Sequence, residues 1–241
     1  MSKIAGIAES PDDPRREVLW ERFSERKSPG SAPPREEGLS LELIDRSIYP
    51  KKEYPVGQWD YMLFYQENFD LATEQMNSDP GGLVKMMFRK GDPTSKGTRS
   101  RTASIRANGG WFVDGKFPSL PLDEDILSTD EFHIYREALQ RNGFFGPNSW
   151  YMNHEANYEY AKEAGVSQTL EKPVLFIHSE YDLVCETVES DLAKPMRERC
   201  INLTEVILQA GHWVAQEKGS EVSAALVRWL AEKVDYWPIG R

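Results

Sequence analysis

The sequence predicts an α/β fold in which a helical region precedes two parallel strands with helices packed across them. Residues 172–235 carry the first observation, because short continuous apolar runs alternate there with longer amphipathic segments in the order strand–helix–strand–helix. The second observation is the helical spacing of apolar and aromatic residues over much of the stretch between residues 41 and 165. Strands joined by a helical crossover pair in parallel, so the last third of the chain predicts a parallel sheet.

Composition narrows the classes of function. The chain has 241 residues, 28% of them charged, and a net charge of −10, and an acidic surface repels the phosphates of nucleic acids. It contains no run of about 18 apolar residues and no secretory signal at its start, so we expect a cytoplasmic protein without a membrane span. Cys185 and Cys200 form no metal-binding motif, which predicts free thiols and neither a metal nor a cofactor.

The first half of the chain predicts a polar arm and then helices. Residues 1–40 are rich in Pro, Ser, Arg and Glu, which predicts an arm that packs poorly, with one short helical candidate in REVLWERFSER. Helical spacing follows in YPVGQWDYMLFYQENFDLATEQM, and GGLVKMMFRKGD predicts a short helix closed by Gly91. Residues 92–130 predict loops.

Two further helices have readable ends. STDEFHIYREALQRNGFFGP predicts a helix that is capped by Thr129, has acids in its first turn and ends at Gly143. NSWYMNHEANYEYAKEAG predicts another helix, opened by Asn148 or Ser149 after Pro147.

The last third predicts two strand–helix units. KPVLFIHSEYD has a continuous apolar run over residues 174–177, which predicts a buried parallel strand, and LTEVILQAG predicts the second strand. SDLAKPMRERC predicts the crossover helix. SEVSAALVRWLAEKV predicts an amphipathic helix whose apolar face comprises Val222, Leu226, Trp229 and Leu230.

Two polar residues follow the ends of the predicted strands. Asp182 comes after the first strand and His212 after the second, and functional residues of open α/β sheets sit just past the carboxyl ends of the strands. If the strands are neighbours, an acid orients an imidazole, as in the base half of a nucleophile–His–acid set. We predict that the two side chains lie within hydrogen-bond reach, with Gly211 permitting the turn that aims the ring. The alternatives are a histidine satisfied at a strand end and an aspartate that caps a turn.

At this point the chain resembles a family. The stretches VGQWDYMLFYQE, NGFFGPNSWYMNHEAN, PVLFIHSEYD and AGHWVAQEKGSEVSAALVRWL are similar to epoxide hydrolases of the α/β-hydrolase fold, particularly fungal members. The resemblance implies that residues 41–165 form the helical cap and residues 166–241 the C-terminal part of the hydrolase core. It also implies that Tyr61 and Tyr151 donate hydrogen bonds to the epoxide oxygen.

The reaction explains these residue types. Opening an epoxide develops an alkoxide, which two phenols in a dry pocket stabilise and protonate. In the family an aspartate attacks the ring carbon, and the His–acid pair then activates the water that cleaves the ester. The resemblance also implies that four aromatic residues line or back an apolar pocket: Trp59, Phe64, Trp150 and Trp213. Taken without the resemblance, the tyrosines and these residues fit plain aromatic packing.

The sequence departs from the family at the nucleophile. Neither G-x-D-x-G, nor G-x-S-x-G, nor the H-G-x-P loop occurs in the chain. We therefore expect the N-terminal half of the hydrolase core to be missing, which leaves two strands with an apolar, unpaired edge. Asp45, Asp60 and Asp70 are poor substitutes, because none follows a strand or sits on a glycine elbow.

Three hypotheses of function remain open. The first is an epoxide hydrolase-like protein that acts on a small apolar epoxide and that, as this chain alone, hydrolyses it weakly or not at all. The second is a non-catalytic homologue that binds a hydrophobic ligand, or pairs with itself or a full-length homologue through the exposed sheet edge. The third uses the same acid–base groups for an isomerisation or cyclisation.

Overall fold

The computed structural model describes residues 41–112, 117–163 and 169–234. The predicted arm over residues 1–40, with its helical candidate REVLWERFSER, lies outside the described residues. The division of the chain at residues 40 and 165 therefore stays a prediction.

In the part of the described chain that precedes the sheet, the regular secondary structure is helical. Short turns of 3₁₀ helix join them, and the loop-rich character predicted for residues 92–130 holds up to the start of α4. The α-helices are α1 Asp60–Glu67, α2 Phe69–Ser78, α3 Pro80–Met87, α4 Thr129–Asn142, α5 Phe145–Ser149 and α6 His154–Glu163. Buried aromatic and aliphatic residues of α1 and α2 form the largest cluster of the core, together with Ile105, Phe112 and Phe144.

The N-cap of helix α4 lies one residue before the predicted cap. Ser128, not Thr129, is the N-cap: its Oγ accepts a hydrogen bond from the Glu131 N–H at 3.3 Å. The Glu131 carboxylate in turn accepts the Ser128 N–H at 2.8 Å, which completes a capping box. The predicted end is confirmed, because Gly143 terminates the helix at φ 67°, a left-handed conformation that glycine adopts without strain.

Two other predicted helix boundaries are wrong. Helix α3 ends at Met87 instead of running to Gly91, because Phe88 leaves the helical conformation. The single helix predicted from Asn148 or Ser149 is broken into α5, a 3₁₀ turn and α6. Asn148 does not cap a helix, since it is buried within α5 and its Nδ2 donates to Thr73 Oγ1 on α2 at 3.1 Å.

The sheet has the predicted parallel topology. Strands β1 Val174–Ser179 and β2 Leu203–Leu208 pair in register from Val174 opposite Leu203 to Ser179 opposite Leu208. The crossover between them contains α7 Lys194–Arg199. Two helices follow β2, which are α8 Val214–Glu217 and α9 Gly219–Lys233, and α9 packs on both strands.

The strands are less buried than the sequence predicts. Most of β1 and β2 is half-exposed, and Ile207 is 56% exposed, because the described residues supply only two strands and one long covering helix. In helix α9, Val222 and Trp229 are half-buried, whereas Leu226 and Leu230 are exposed, so the predicted four-residue face is split. No described helix combines the length and apolarity that crossing a bilayer requires.

Candidate active site

Backbone pairing continues past the ends of the two strands. The Glu180 N–H donates to the Leu208 carbonyl, and the Tyr181 N–H donates to the Ala210 carbonyl, each at 2.9 Å. These bonds hold the chain that leaves β1 against the chain that leaves β2. The residues that follow, Asp182 and His212, are therefore brought side by side at one edge of the sheet.

Asp182 organises its own turn and the histidine. One carboxylate oxygen accepts the backbone N–H groups of Val184 at 2.8 Å and Cys185 at 3.0 Å. The other oxygen lies 2.9 Å from Nδ1 of His212. Burial by itself raises the pKa of Asp182, but the hydrogen bonds from His212 and from the two N–H groups together hold the pKa below its usual value. The carboxylate is therefore charged at neutral pH.

His212 lies within hydrogen-bond reach of Asp182, which confirms the predicted geometry of the pair. Its hydrogen bonds with Asp182 and Cys185, opposed by partial burial, raise the pKa of His212 to about 10. At neutral pH the ring is therefore an imidazolium paired with a carboxylate. Because Nδ1 faces Asp182, Nε2 is the ring atom left to face a reacting group.

The glycine before His212 is needed for close packing and not for an unusual turn. Gly211 is not among the glycines with positive φ. A Cβ on Gly211 would lie 2.8 Å from the Cα of Gly91, so the two backbones touch. The carboxylate of Glu217 accepts both glycine N–H groups, at 2.8 Å from Gly211 and 3.0 Å from Gly91. This contact fixes the turn that carries His212 to the segment after α3.

Trp213 reinforces the same junction. Its Nε1 donates to the Met87 carbonyl at 2.6 Å, and its ring stacks on Phe88 with centroids 4.2 Å apart. The side chain is thus committed to the end of α3, and its role beside His212 is to anchor the loop. Its predicted place in the lining of a pocket has no separate support.

Tyr61 and Tyr151 meet, as predicted, although they lie on different elements. Their rings make an edge-to-face contact with centroids 5.7 Å apart. A third tyrosine, Tyr65, is stacked on Tyr151 at 4.6 Å and lies edge-on to Tyr61 at 6.4 Å. Trp111 contacts Tyr61 and Tyr65 from the other side. The four rings, which we call the tyrosine cluster, are Tyr61, Tyr65, Trp111 and Tyr151.

The tyrosine cluster faces the turn that contains Asp182. Val184, two residues after the aspartate, packs against the core cluster that contains Tyr61 and Tyr65. Burial, and then the nearby groups of Tyr151, Cys185 and Asp182, raise the pKa of Tyr61. Burial and then Cys185 raise the pKa of Tyr151. Both phenols therefore keep their protons at neutral pH and can act as hydrogen-bond donors.

The predicted lining residues are scattered. Trp59 is half-buried and packs against the largest core cluster, to which Tyr61 and Tyr65 belong. Phe64 is only 1% exposed and is itself a member of that core cluster. Trp150 is 78% exposed, whereas its neighbour Tyr151 packs against the core. The lining role of Trp150 stays a prediction.

The sequence reasoning missed two residues of the site. Tyr65 had a signal, the i, i+4 spacing with Tyr61 that places both rings on one face of α1. For Cys185 the sequence offered no signal except its position three residues after Asp182. In the fold, the sulfur of Cys185 and one ligand-type atom each of Asp182 and His212 all lie within 4.8 Å of one another.

The three substitute nucleophiles gain no support. Asp60 is buried and paired with Arg106, whose Nε lies at 2.6 Å and whose backbone N–H donates at 2.8 Å. Asp45 accepts hydrogen bonds from Ser47, and Asp70 lies in the first turn of α2.

Comparison with known proteins identifies relatives for most of the described chain. No family model matches the sequence. The chain is 31% identical over 178 residues to epoxide hydrolase A of Mycobacterium tuberculosis, covering 70% of this chain and 51% of that protein. It is 27% identical over 192 residues to mouse bifunctional epoxide hydrolase 2, covering 79% of this chain and 33% of that protein.

Solved structures agree with these relatives. Epoxide hydrolase A from Mycobacterium thermoresistibile superposes with a TM-score of 0.54 at 29% identity and covers 72% of this chain and 52% of its own. A laboratory-evolved variant of potato epoxide hydrolase superposes with a TM-score of 0.56 over 91% of this chain, and at 19% identity it shows the fold alone. The chain spans a third to a half of the length of the curated relatives named above. It is thus a homologue of epoxide hydrolases and has part of the α/β-hydrolase fold, with two parallel strands.

Proposed function

We propose that this chain carries the acid–base groups of an epoxide-opening site that acts on a small apolar epoxide. The observation that supports the proposal most is the convergence of Tyr61 and Tyr151, from separate elements, beside the turn that contains Asp182, whose carboxylate binds His212. The homology of this chain to epoxide hydrolases supports epoxide opening as the class of reaction. A cytoplasmic location and a fungal affinity are further parts of the proposal, and the relatives named above are mammalian and mycobacterial.

The tyrosines supply the first step. An epoxide oxygen that accepts hydrogen bonds from the Tyr61 and Tyr151 hydroxyls is polarised, and the alkoxide that develops as the ring opens is stabilised by the same donors. Because burial raises the pKa of both phenols, each keeps its proton until a strong base appears nearby. The aromatic rings around them exclude water and suit an apolar substituent.

The His212–Asp182 pair acts in one of two protonation states. At neutral pH the imidazolium supplies a positive charge and a proton near the opening ring. To take a proton from water, His212 must first lose its own, so base catalysis by this pair strengthens as the pH rises towards about 10. The carboxylate that attacks the ring carbon in the family is not assigned to any residue of this sequence, which has no G-x-D-x-G.

Binding of an unreactive analogue tests the proposal without requiring turnover. Phenylacetamide presents a carbonyl oxygen to the two phenols on an apolar aryl body, and its affinity is measurable by calorimetry. Replacing either tyrosine, as Tyr61→Phe or Tyr151→Phe, removes one hydroxyl and should weaken binding about 3- to 10-fold, the value of one hydrogen bond. Tyr160→Phe, at an exposed position of α6, is the matched control and should change nothing. Equal affinity in all variants would contradict the proposal.

A specific observation favours a second candidate, in which the chain binds another polypeptide. Five apolar side chains of the sheet and the segments around it are exposed: Ile201, Ile207, Leu226, Val227 and Leu230. A patch of this kind invites association through the open sheet. Light scattering across a concentration series should show self-association that Ile207→Lys abolishes. The exposed Ile134 of α4 gives the control, Ile134→Lys, which should not alter the mass. A monomer at all concentrations would remove support for self-pairing.

A further inference from the structure

We propose that Cys185 is a nucleophilic thiol, held by Asp182 beside His212, and that apolar epoxides alkylate it. The choice of epoxides as the electrophile rests on the proposed function, whereas the thiol–imidazole–carboxylate arrangement rests on the geometry alone. The proposal gives this chain a covalent reaction that needs no aspartate on a glycine elbow.

The geometry brings the three groups together at one end of the sheet. The Cys185 sulfur, an Asp182 oxygen and a His212 nitrogen lie within 4.8 Å of one another. Asp182 fixes both partners, because one oxygen accepts the Cys185 N–H at 3.0 Å and the other faces His212 Nδ1 at 2.9 Å. The carboxylate therefore positions the ring and the thiol at once. Cys185 itself is exposed, so a reagent can reach the sulfur.

The chemistry of the arrangement favours the thiolate. A thiol is a weak nucleophile until it loses its proton, and a neighbouring imidazolium stabilises the thiolate. His212 is held as an imidazolium near neutral pH by Asp182 and Cys185, which raise its pKa to about 10. The positive charge of this ring, close to the sulfur, stabilises the thiolate that forms when the thiol gives up its proton.

The electrophile class follows from what faces the sulfur. Cys185 lies close enough to Tyr61 and Tyr151 to affect the pKa of both. An epoxide whose oxygen accepts a hydrogen bond from these phenols presents its ring carbons towards the same turn. The sulfur lone pair forms an S–C bond as the C–O bond breaks with its electron pair on oxygen. That oxygen takes up a proton from the His212 imidazolium, which regains one from water as the thiol releases its own, and the product is a β-hydroxy thioether.

The stability of the thioether product distinguishes this reaction from epoxide hydrolysis. Water cleaves an ester with help from an imidazole, but it does not cleave a thioether, so each chain reacts once and releases no diol. Cys200 provides an internal comparison, because it is buried at the end of α7. We therefore expect one equivalent of epoxide bound per chain, all of it on Cys185.

The first experiment measures activation of the thiol with iodoacetamide, by peptide mass spectrometry on the intact chain. Cys185 should react at neutral pH at least about tenfold faster than in His212→Ala, the loss of one charged neighbour. Because His212→Ala can disturb the fold, the rate of Cys185 alkylation is also measured as a function of pH in the protein without substitutions. On acidification this rate should fall less than the alkylation rate of free cysteine, measured under the same conditions. A rate that is equal in the variant and parallel to free cysteine would overturn the proposal. Reaction that begins only after EDTA is added would also overturn it, by showing a metal ligand.

The second experiment uses styrene oxide. A single adduct on Cys185, absent from Cys185→Ser, is the expected result, and no adduct would overturn the proposal. Tyr61→Phe should slow the reaction of Cys185 with styrene oxide more than its reaction with iodoacetamide. If an adduct forms equally fast in Tyr61→Phe, the thiol site stands and the tyrosine-based function fails, so the two failures are distinguishable.

Discussion

The Asp182→Asn substitution isolates the charge of the Asp182–His212 pair. Asparagine keeps an oxygen for the N–H groups of Val184 and Cys185, so the turn should persist. What disappears is the negative charge 2.9 Å from Nδ1 of His212. Since that charge is the main cause that raises the pKa of His212 to about 10, the pKa should fall towards its usual value near 6.5.

The effect on stability has a defined sign and window. A hydrogen bond to a charged group contributes about 1.5–3 kcal/mol, and the side chain of His212 is 41% exposed, so solvent screening reduces this to about 1–2 kcal/mol. Because the pKa of His212 is raised in the folded protein, the contribution is full below pH 6.5 and is lost as the pH rises through about 10. In Asp182→Asn, the free energy of unfolding should not show this dependence on pH.

Two measurements test this reasoning. The ring proton of His212, followed by NMR against pH, should titrate near 10 in the unmodified protein and about three pH units lower in the variant. Urea unfolding should show a free energy gap of about 1–2 kcal/mol between the two proteins at neutral pH that closes at alkaline pH. Asp182→Ala, which also leaves two partly buried N–H groups without this acceptor, should be less stable than Asp182→Asn by about 1–2 kcal/mol. A His212 that titrates near 6.5 in the unmodified protein would refute the argument.

Three further outcomes are expected. Asp60→Ala removes one of the two carboxylates that pair with Arg106, and since Glu67 stays 3.0 Å from the guanidinium, it should cost about 1–3 kcal/mol, which calorimetry would show as a fall in Tm of about 2–12 °C; no change in Tm would contradict the Asp60–Arg106 pair. Gly211→Ala places a methyl against Gly91 and should lower the rate of Cys185 alkylation, and an unaltered rate would mean that the close glycine contact is dispensable. Purified chain should form diol from an aryl epoxide no faster than buffer, and turnover that His212→Ala abolishes would show a base-driven route instead.

The sheet was the most predictable part of the fold because its signals are local. Continuous apolar runs, each followed by a polar residue, identified both strands, and parallel pairing then placed Asp182 opposite His212. Burial of the strands was not predictable in the same way. It depends on what covers the sheet, and the described residues cover it only in part, which leaves Ile207 exposed.

The helical region was harder to predict because neighbouring residues separate there. Trp150 and Tyr151 are adjacent, yet one is 78% exposed and the other packs on Tyr65, since a 3₁₀ turn replaces the predicted helix at this point. Spacing along an ideal helix cannot anticipate such a break. Cys185 was missed for a related reason. Only the folded turn, in which the Cys185 N–H donates to the Asp182 carboxylate, brings the thiol next to the histidine.

Gly211 shows most clearly where sequence reasoning stops. Its position before His212 suggested a turn that needs unusual backbone angles, whereas the structure uses its lack of a side chain to admit Gly91, 120 residues earlier in the chain. The carboxylate of Glu217 binds both glycine N–H groups, and Trp213 donates to Met87 beside them. The position of His212 is therefore set by the sheet on one side and by the segment after α3 on the other. Because the tyrosine cluster belongs to that same helical region, the distance between the phenols and the imidazolium depends on this junction, and loosening it should impair both proposed reactions together.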